Sequence, residues 1–244
     1  MMKDIESKII DKWKEKYNSS VFLTKMDKDN ILYCEGNYKP LFRGYLHYVA
    51  IAILVVQFYP LYNLCKTIKQ KLIISSWILI NIFTFTISII FHTYDLNPIQ
   101  EINIQKIDHL MIYINTLNHI IQYLFLYNFD KESITIYYSY FILFVSLSIV
   151  ILGIYLIFSC KKKYYHIIFL LIPVILLIPL VINIFKPIQS IYFFIIWVVM
   201  LLGLIIYNIQ KPISNIFGYH EYFHIFTIVS LIFSILLEKS LLVE

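Results

Sequence analysis

The sequence predicts an all-α membrane protein, a bundle of seven transmembrane helices, and three observations support this. Of the 244 residues, 60% are hydrophobic and only 14% are charged, and the mean hydropathy is +0.75. Soluble domains carry about 25% charged residues, so a soluble fold of this length could not bury so much apolar surface. Apolar stretches long enough to cross a hydrocarbon core of about 30 Å follow one another along the chain, separated by short, mostly charged linkers.

Hydropathy places the spans, in order, at Tyr45–Cys65, Leu72–Tyr94, Ile107–Tyr127, Ile134–Ser159, Tyr164–Ile184, Ile188–Tyr207 and Tyr219–Leu237. The linkers include the basic segments KTIKQK (66–71) and KKK (161–163). The third span is the most polar, because it contains Asp108, His109, Asn115, Asn118 and His119. We expect this helix to face the interior of the bundle.

The first 43 residues form a separate basic segment without the apolar core of a cleavable signal peptide. Ile5, Ile9, Trp13 and Tyr17 lie four residues apart in it. This spacing fits a short helix on an anionic membrane surface, although a solvated basic tail is the alternative. The predicted organisation is therefore a basic tail, 1–43, and a seven-span domain, 44–244.

The distribution of lysine and arginine predicts a cytoplasmic N-terminus and a C-terminus on the outside. In this orientation 14 of the 20 basic residues face the cytoplasm, as the positive-inside rule requires. The net charge of +5 suits an anionic membrane and gives no case for nucleic acid as a partner. The cysteines are scattered at Cys34, Cys65 and Cys160, so neither a disulfide framework nor a cysteine metal site is indicated.

Polar residues at the ends of three spans provide the main clue to function. Ser88 and His92 lie four residues apart near the end of the second span, and His220 and His224 have the same spacing at the start of the seventh. Each pair shares one helix face. Asp108 opens the predicted third span. In an alternating topology these groups all meet at one leaflet, the cytoplasmic one in the orientation above.

The chemistry of this set favours zinc. Three neutral imidazoles and a water form the tetrahedral, open type of site found in zinc enzymes. Zinc lowers the pKa of its water toward about 7. Asp108 could then accept a proton, and Ser88 could orient the water or donate to an oxyanion.

Four sequence blocks resemble the hemolysin III family, within the progestin and adipoQ receptor superfamily of seven-span proteins. They cover the chain from about residue 39 to its end, in the order found in the family: KPLFRGYLHYVA (39–50), SIIFH (88–92), DHLMIY (108–113) and KPISNIFGYHEYFHIF (211–226). The resemblance implies a seven-helix bundle that binds zinc through His92, His220 and His224. Ser88 and Asp108 would lie at the metal's water.

Three functions are compatible with this resemblance. The superfamily includes receptor-like members with ceramidase-type amide hydrolase activity, and its bacterial branch carries a cytolysin label. The chain is therefore expected to be a zinc-dependent hydrolase of a membrane lipid amide or ester, a pore-forming cytolysin, or a receptor or membrane-homeostasis regulator with structural zinc. The plasma membrane and an internal membrane are both compatible locations. Convergence of the polar residues at one side argues against a pore.

The same residues also allow simpler interpretations. The histidines could lie at the headgroup level, Asp108 could cap the third helix, and Ser88 could serve helix packing. HEYFH (220–224) also satisfies the H-E-x-x-H pattern of metalloproteases, in which the glutamate is the general base. We expect Glu221, His109 and His47 to support the site from outside the ligand set.

Overall fold

Seven α-helices form the part of the chain that the computed structural model describes, which is residues 42–94, 96, 98–126, 133–158, 164–209, 211 and 216–243. They are α1 (Tyr45–Leu64), α2 (Ile68–Thr93), α3 (Pro98–Leu126), α4 (Ser133–Phe158), α5 (Tyr164–Ile184), α6 (Pro187–Ile209) and α7 (Tyr219–Leu242). Each predicted span corresponds to one helix. The predicted tail lies almost entirely outside the described residues.

Length and composition identify most of these helices as membrane spans. Five are long and apolar enough to cross a bilayer: Tyr45–Leu64, Ile68–Thr93, Ile136–Ile157, Pro187–Ile209 and Tyr219–Leu242. Leu170–Ile184, within α5, is a shorter apolar helix. Large apolar side chains such as Val56, Phe144 and Ile151 are more than 65% exposed, as expected for surfaces that face lipid. The protein is a multi-pass integral membrane protein.

The helices are arranged approximately in a ring. α1 to α5 each pack against the next helix along the chain, α6 packs extensively against α7, and α7 packs back against α1. α3 also touches α5, while α5 and α6 make only a small contact. The polar faces of α3 and α7 therefore lie on opposite sides of the interior.

Three apolar clusters hold this ring together among the described residues, and α7 contributes to two of them. One joins α1 and α2 to α7 around the fully buried Trp77. The other joins α3, α5 and α6 to α7 around Tyr123 and Phe193. The Trp77 indole N–H donates to Nδ1 of His119 on α3 at 3.3 Å. This hydrogen bond satisfies a buried indole N–H across two helices, where no water is available.

The start of α3 differs from the prediction. The helix begins at Pro98, nine residues before the predicted span, so Asp108 lies ten residues into α3 instead of at its N-terminus. The interpretation of Asp108 as a helix cap is therefore wrong. Proline favours the first position of a helix. The first turns that follow it are polar, so a search for apolar stretches does not include them in the span.

Candidate metal centre

α1, α2 and α7 meet at one end of the bundle, where α1 and α7 begin and α2 ends. The backbone N–H of Phe42 donates to the carbonyl of Ile216 at 3.4 Å and links the segments that precede α1 and α7. Gly44 has φ +87°, and a Cβ there would lie 2.5 Å from Cγ2 of Thr93 and 3.2 Å from Cβ of His92. Only glycine combines this conformation with such a close approach.

Four buried histidines occupy this end of the bundle, and we refer to them as the histidine cluster: His47, His92, His220 and His224. The ring of His224 lies 4.2 Å from that of His47, 4.5 Å from that of His220 and 5.2 Å from that of His92, between centroids. The cluster thus draws one histidine from α1, one from α2 and two from α7.

The ring nitrogens of the cluster are suited to metal binding. Both nitrogens of His47 and both of His224 are buried without a hydrogen-bond partner among the described residues. A buried polar atom left in this state costs free energy. One ligand nitrogen from each of His47, His92 and His224 lies within 4.8 Å of the others, an arrangement that could hold a metal ion.

His220 has two contacts that bear on its role as a ligand. Its Nε2 lies 3.3 Å from Nε2 of His92, and two nitrogens bound to one tetrahedral zinc at about 2.0–2.1 Å also stand about 3.3 Å apart. Its Nδ1 lies 3.0 Å from Nη2 of Arg43. A guanidinium only donates, so Nδ1 accepts and the neutral ring carries its proton on Nε2. Metal binding through Nε2 therefore requires His220 to give up the Arg43 contact.

Ser88 and Asp108 form a pair beside the cluster. The Ser88 hydroxyl donates to Oδ1 of Asp108, which joins α2 to α3 one helical turn before His92. Arg43 lies within electrostatic range of the Asp108 carboxylate. The structure thus brings together Ser88 and Asp108, as the spacing in the sequence predicts.

Glu221 and His109 lie at the margin of this arrangement. Glu221 is fully buried, and its Oε2 accepts from the backbone N–H of Gly218 at 2.7 Å. This contact caps the start of α7. One carboxylate oxygen of Glu221 is thereby engaged in holding the helix end. His109 is half-buried next to Asp108 on α3.

The sequence of the chain matches one family along most of its length. The profile of the family described as haemolysin-III related matches residues 36–235. The chain belongs to the hemolysin III family. No significant similarity to a curated protein or to a solved structure was found. The hemolysin III family match covers all seven helices of the bundle, apart from the last turns of α7, and includes every member of the histidine cluster.

The structure brings His47 closer to the centre of this hemolysin III protein than the sequence predicted, and it buries Arg43 there as well. Both are less than 6% exposed, and His47 is in edge contact with His224. The feature of the sequence that could have indicated their place in the site is the spacing between them. Arg43 and His47 are four residues apart, and α1 begins at the end of the bundle where α2 finishes. Two sets of three histidines are therefore candidates, which share His92 and His224. The structure groups these two with His47, whereas the resemblance in the sequence implies His220 as the third ligand.

A pair of alanine variants separates these two ligand sets. We expect His220→Ala to lose bound zinc and His47→Ala to retain it, because the His92–His220 separation matches two ligands of one zinc. Metal content of the detergent-purified proteins, measured by mass spectrometry, gives the answer. The reverse result, with zinc lost from His47→Ala and kept in His220→Ala, would assign the ion to His47, His92 and His224.

Proposed function

We propose that the protein is a zinc-dependent hydrolase of a lipid amide or ester, with the ion held by His92, His220 and His224. The observation that carries this proposal is the buried histidine cluster with the Ser88–Asp108 pair beside it. Ionisable groups within membrane spans are costly, and they mark functional sites by default. Buried imidazoles are donors that zinc prefers, and in this cluster the nitrogens of His47 and His224 have no hydrogen-bond partner among the described residues.

The side chains around the cluster have complementary roles in such a reaction. When bound, zinc supplies a Lewis acid and lowers the pKa of water toward about 7. Asp108 accepts the proton of the attacking water as general base and returns it to the amine or alcohol that leaves when the C–N or C–O bond breaks. Ser88 holds the carboxylate of Asp108 in place through its hydrogen bond. Arg43, released from His220, adds positive charge where the substrate carbonyl becomes an oxyanion.

The location of the site supports a lipid substrate. The cluster is buried among α1, α2 and α7, each of which is long and apolar enough to span the bilayer. A substrate that reaches it from the leaflet needs a polar amide or ester group attached to an apolar chain. Ceramide-like amides have this chemistry and are the first compounds to screen.

Asp108→Asn is the variant that tests the proposal. We expect hydrolysis of the amide or ester substrate to fall by about 10²–10⁴-fold, the usual contribution of a general base. Zinc content should stay at the wild-type level, because Asp108 is not a ligand. Product release by reconstituted protein, measured by mass spectrometry, provides the readout.

Glu101→Gln is the matched control, since it removes one carboxylate near the start of the same helix. It should hydrolyse the substrate at the wild-type rate. Wild-type protein that carries zinc but hydrolyses none of the amides and esters tested, or Asp108→Asn that is fully active, would contradict the proposal.

A cytolysin remains the second candidate, and one observation bears on it. The polar residues do not all converge at one side, because buried polar side chains also continue along α7 to Ser234 and Glu238. A pore needs a polar path across the membrane. Leakage of a fluorescent dye from liposomes that contain the protein would favour this function, whereas intact liposomes and substrate hydrolysis would favour the enzyme.

A further inference from the structure

A second group of buried polar residues lies in the half of the bundle away from the histidine cluster. Its centre is Glu238 on α7, eighteen residues after His220. At 1.5 Å per residue this separation is about 27 Å, and five helical turns return Glu238 to the same face as His220. Glu238 therefore faces the interior near the opposite membrane boundary.

The carboxylate of Glu238 has no described partner. The residue is fully buried, and neither of its oxygens has a hydrogen-bond partner among the described residues. It forms no ion pair there either. A carboxylate charge placed in hydrocarbon without compensation costs many kcal/mol, so buried charges are paired or coordinate a metal. Glu238 is a group whose partner remains to be assigned.

Neutral polar side chains lie on α3 and α7 in this part of the bundle. The hydroxyl of Tyr123 on α3 lies within the electrostatic range of the Glu238 carboxylate. Ser234, one turn before Glu238, lies beside this hydroxyl and is 1% exposed. Gln122, the neighbour of Tyr123, is fully buried, and both atoms of its side-chain amide lack a described partner.

The surroundings of these oxygen atoms are apolar and close-packed. Leu237 and Leu241 on α7 belong to the same cluster as Tyr123 and Phe193, while Ile235 and Leu242 pack toward α1 and α2. The buried Cys65 at the end of α1 also lies within electrostatic range of Glu238. Apolar side chains cannot compensate a charge, so the compensating group must lie beside the polar side chains.

We propose that Glu238 is the anionic centre of a second site, which binds a monovalent metal cation with the Tyr123 and Ser234 hydroxyls as neutral ligands. Hard cations prefer oxygen ligands. One carboxylate balances one positive charge, whereas a divalent ion would leave an uncompensated charge among apolar side chains. A proton would occupy a single carboxylate oxygen and leave the other lone pairs of the group unsatisfied.

Thermal unfolding of the full chain in nanodiscs tests this site. Wild-type protein should unfold at a higher temperature in NaCl or KCl than in the same concentration of N-methylglucamine chloride, at fixed pH. At ten times the dissociation constant the expected rise in Tm is about 3–6 °C. In Glu238→Gln, which lacks the charge but keeps the shape, the Tm should be the same in all three salts.

Two further variants separate ligand loss from general destabilisation. Tyr123→Phe and Ser234→Ala keep the carboxylate, and both should show a smaller cation-dependent rise than the wild type. Ser230→Ala, a buried serine one turn earlier on α7, is the matched control and should keep the full rise.

Two outcomes would overturn the proposal. One is a cation-dependent rise in Glu238→Gln equal to that of the wild type. The other is a wild-type Tm that is the same with and without the metal cation and changes only with pH. That result would mean that a proton occupies the site at Glu238.

Discussion

Replacing His224 by alanine is expected to leave the purified protein without bound metal. His224 and His92 belong to both sets of three histidines that the cluster offers, so either replacement removes a ligand whichever set holds the ion. Mutation of a residue that merely supports a ligand already lowers metal affinity about 10–100-fold, so loss of a ligand should exceed 100-fold. Wild-type protein should carry about one zinc per chain, as one tetrahedral site requires.

Mass spectrometry of metal content, with helical content measured by circular dichroism, provides the test. His119→Ala is the control, because His119 is a histidine inside the same bundle that contacts Trp77 instead of the cluster. It should bind zinc as the wild type does. A well-folded His224→Ala protein with wild-type zinc content would rule out the cluster as the metal site.

Among the variants proposed here, Trp77→Ala is expected to cause the largest loss in the free energy of unfolding. Trp77 is fully buried where α1, α2 and α7 meet, and truncating a buried tryptophan typically costs about 3–5 kcal/mol. The lower end applies here, because packing contacts, rather than transfer from water, provide most of the stabilisation inside a bilayer. Thermal unfolding in detergent should show a fall in Tm of roughly 6–12 °C.

Two further variants serve as controls for this measurement. Trp77→Phe keeps most of the ring but loses the N–H that donates to His119, so it should cost only about 1 kcal/mol. Leu79→Ala truncates a side chain on the same helix that is 65% exposed toward lipid. It should change the Tm little. Equal losses for Trp77→Ala and Leu79→Ala would contradict the assignment of Trp77 to the packed interior.

The helices could be predicted from the sequence because a bilayer imposes a simple rule on them. Long apolar stretches must form helices that satisfy their own backbone hydrogen bonds, and the seven predicted spans match α1 to α7. The rule fails where a helix continues beyond the apolar stretch. The first turns of α3, from Pro98, are polar, and α7 continues past the predicted end at Leu237 to Leu242.

These two extensions explain what the sequence concealed. The last span was predicted to end at Leu237, one residue before Glu238, whereas the structure places Glu238 within α7 and buries it completely. The third span was predicted to begin at Ile107, which left capping by Asp108 open as an alternative to a role at the metal's water. The grouping of Ser88 with Asp108 was still predictable, because alternation of the spans decides which helix ends meet.

Side-chain direction was the other quantity that spacing alone could not supply. The alternating direction of successive spans places His47, His92 and His224 at one end of the bundle. It does not determine the distances between their rings. The 4.2 Å approach of His47 to His224 depends on how α1 and α7 cross. The contact of Arg43 with His220 depends on the turn before α1. Orientation of the termini stays a prediction from the distribution of lysine and arginine.

Gly44 has a mechanical consequence for the histidine cluster. Because this residue has no side chain, the first turn of α1 rests directly on His92 and Thr93, with no deformable layer between the two helices. His47 stands one turn further along α1. A change in the tilt of α1, such as a thicker or thinner bilayer imposes, therefore acts on the His47–His92 separation at once. Bilayer thickness thus becomes a variable to hold constant whenever metal affinity is measured.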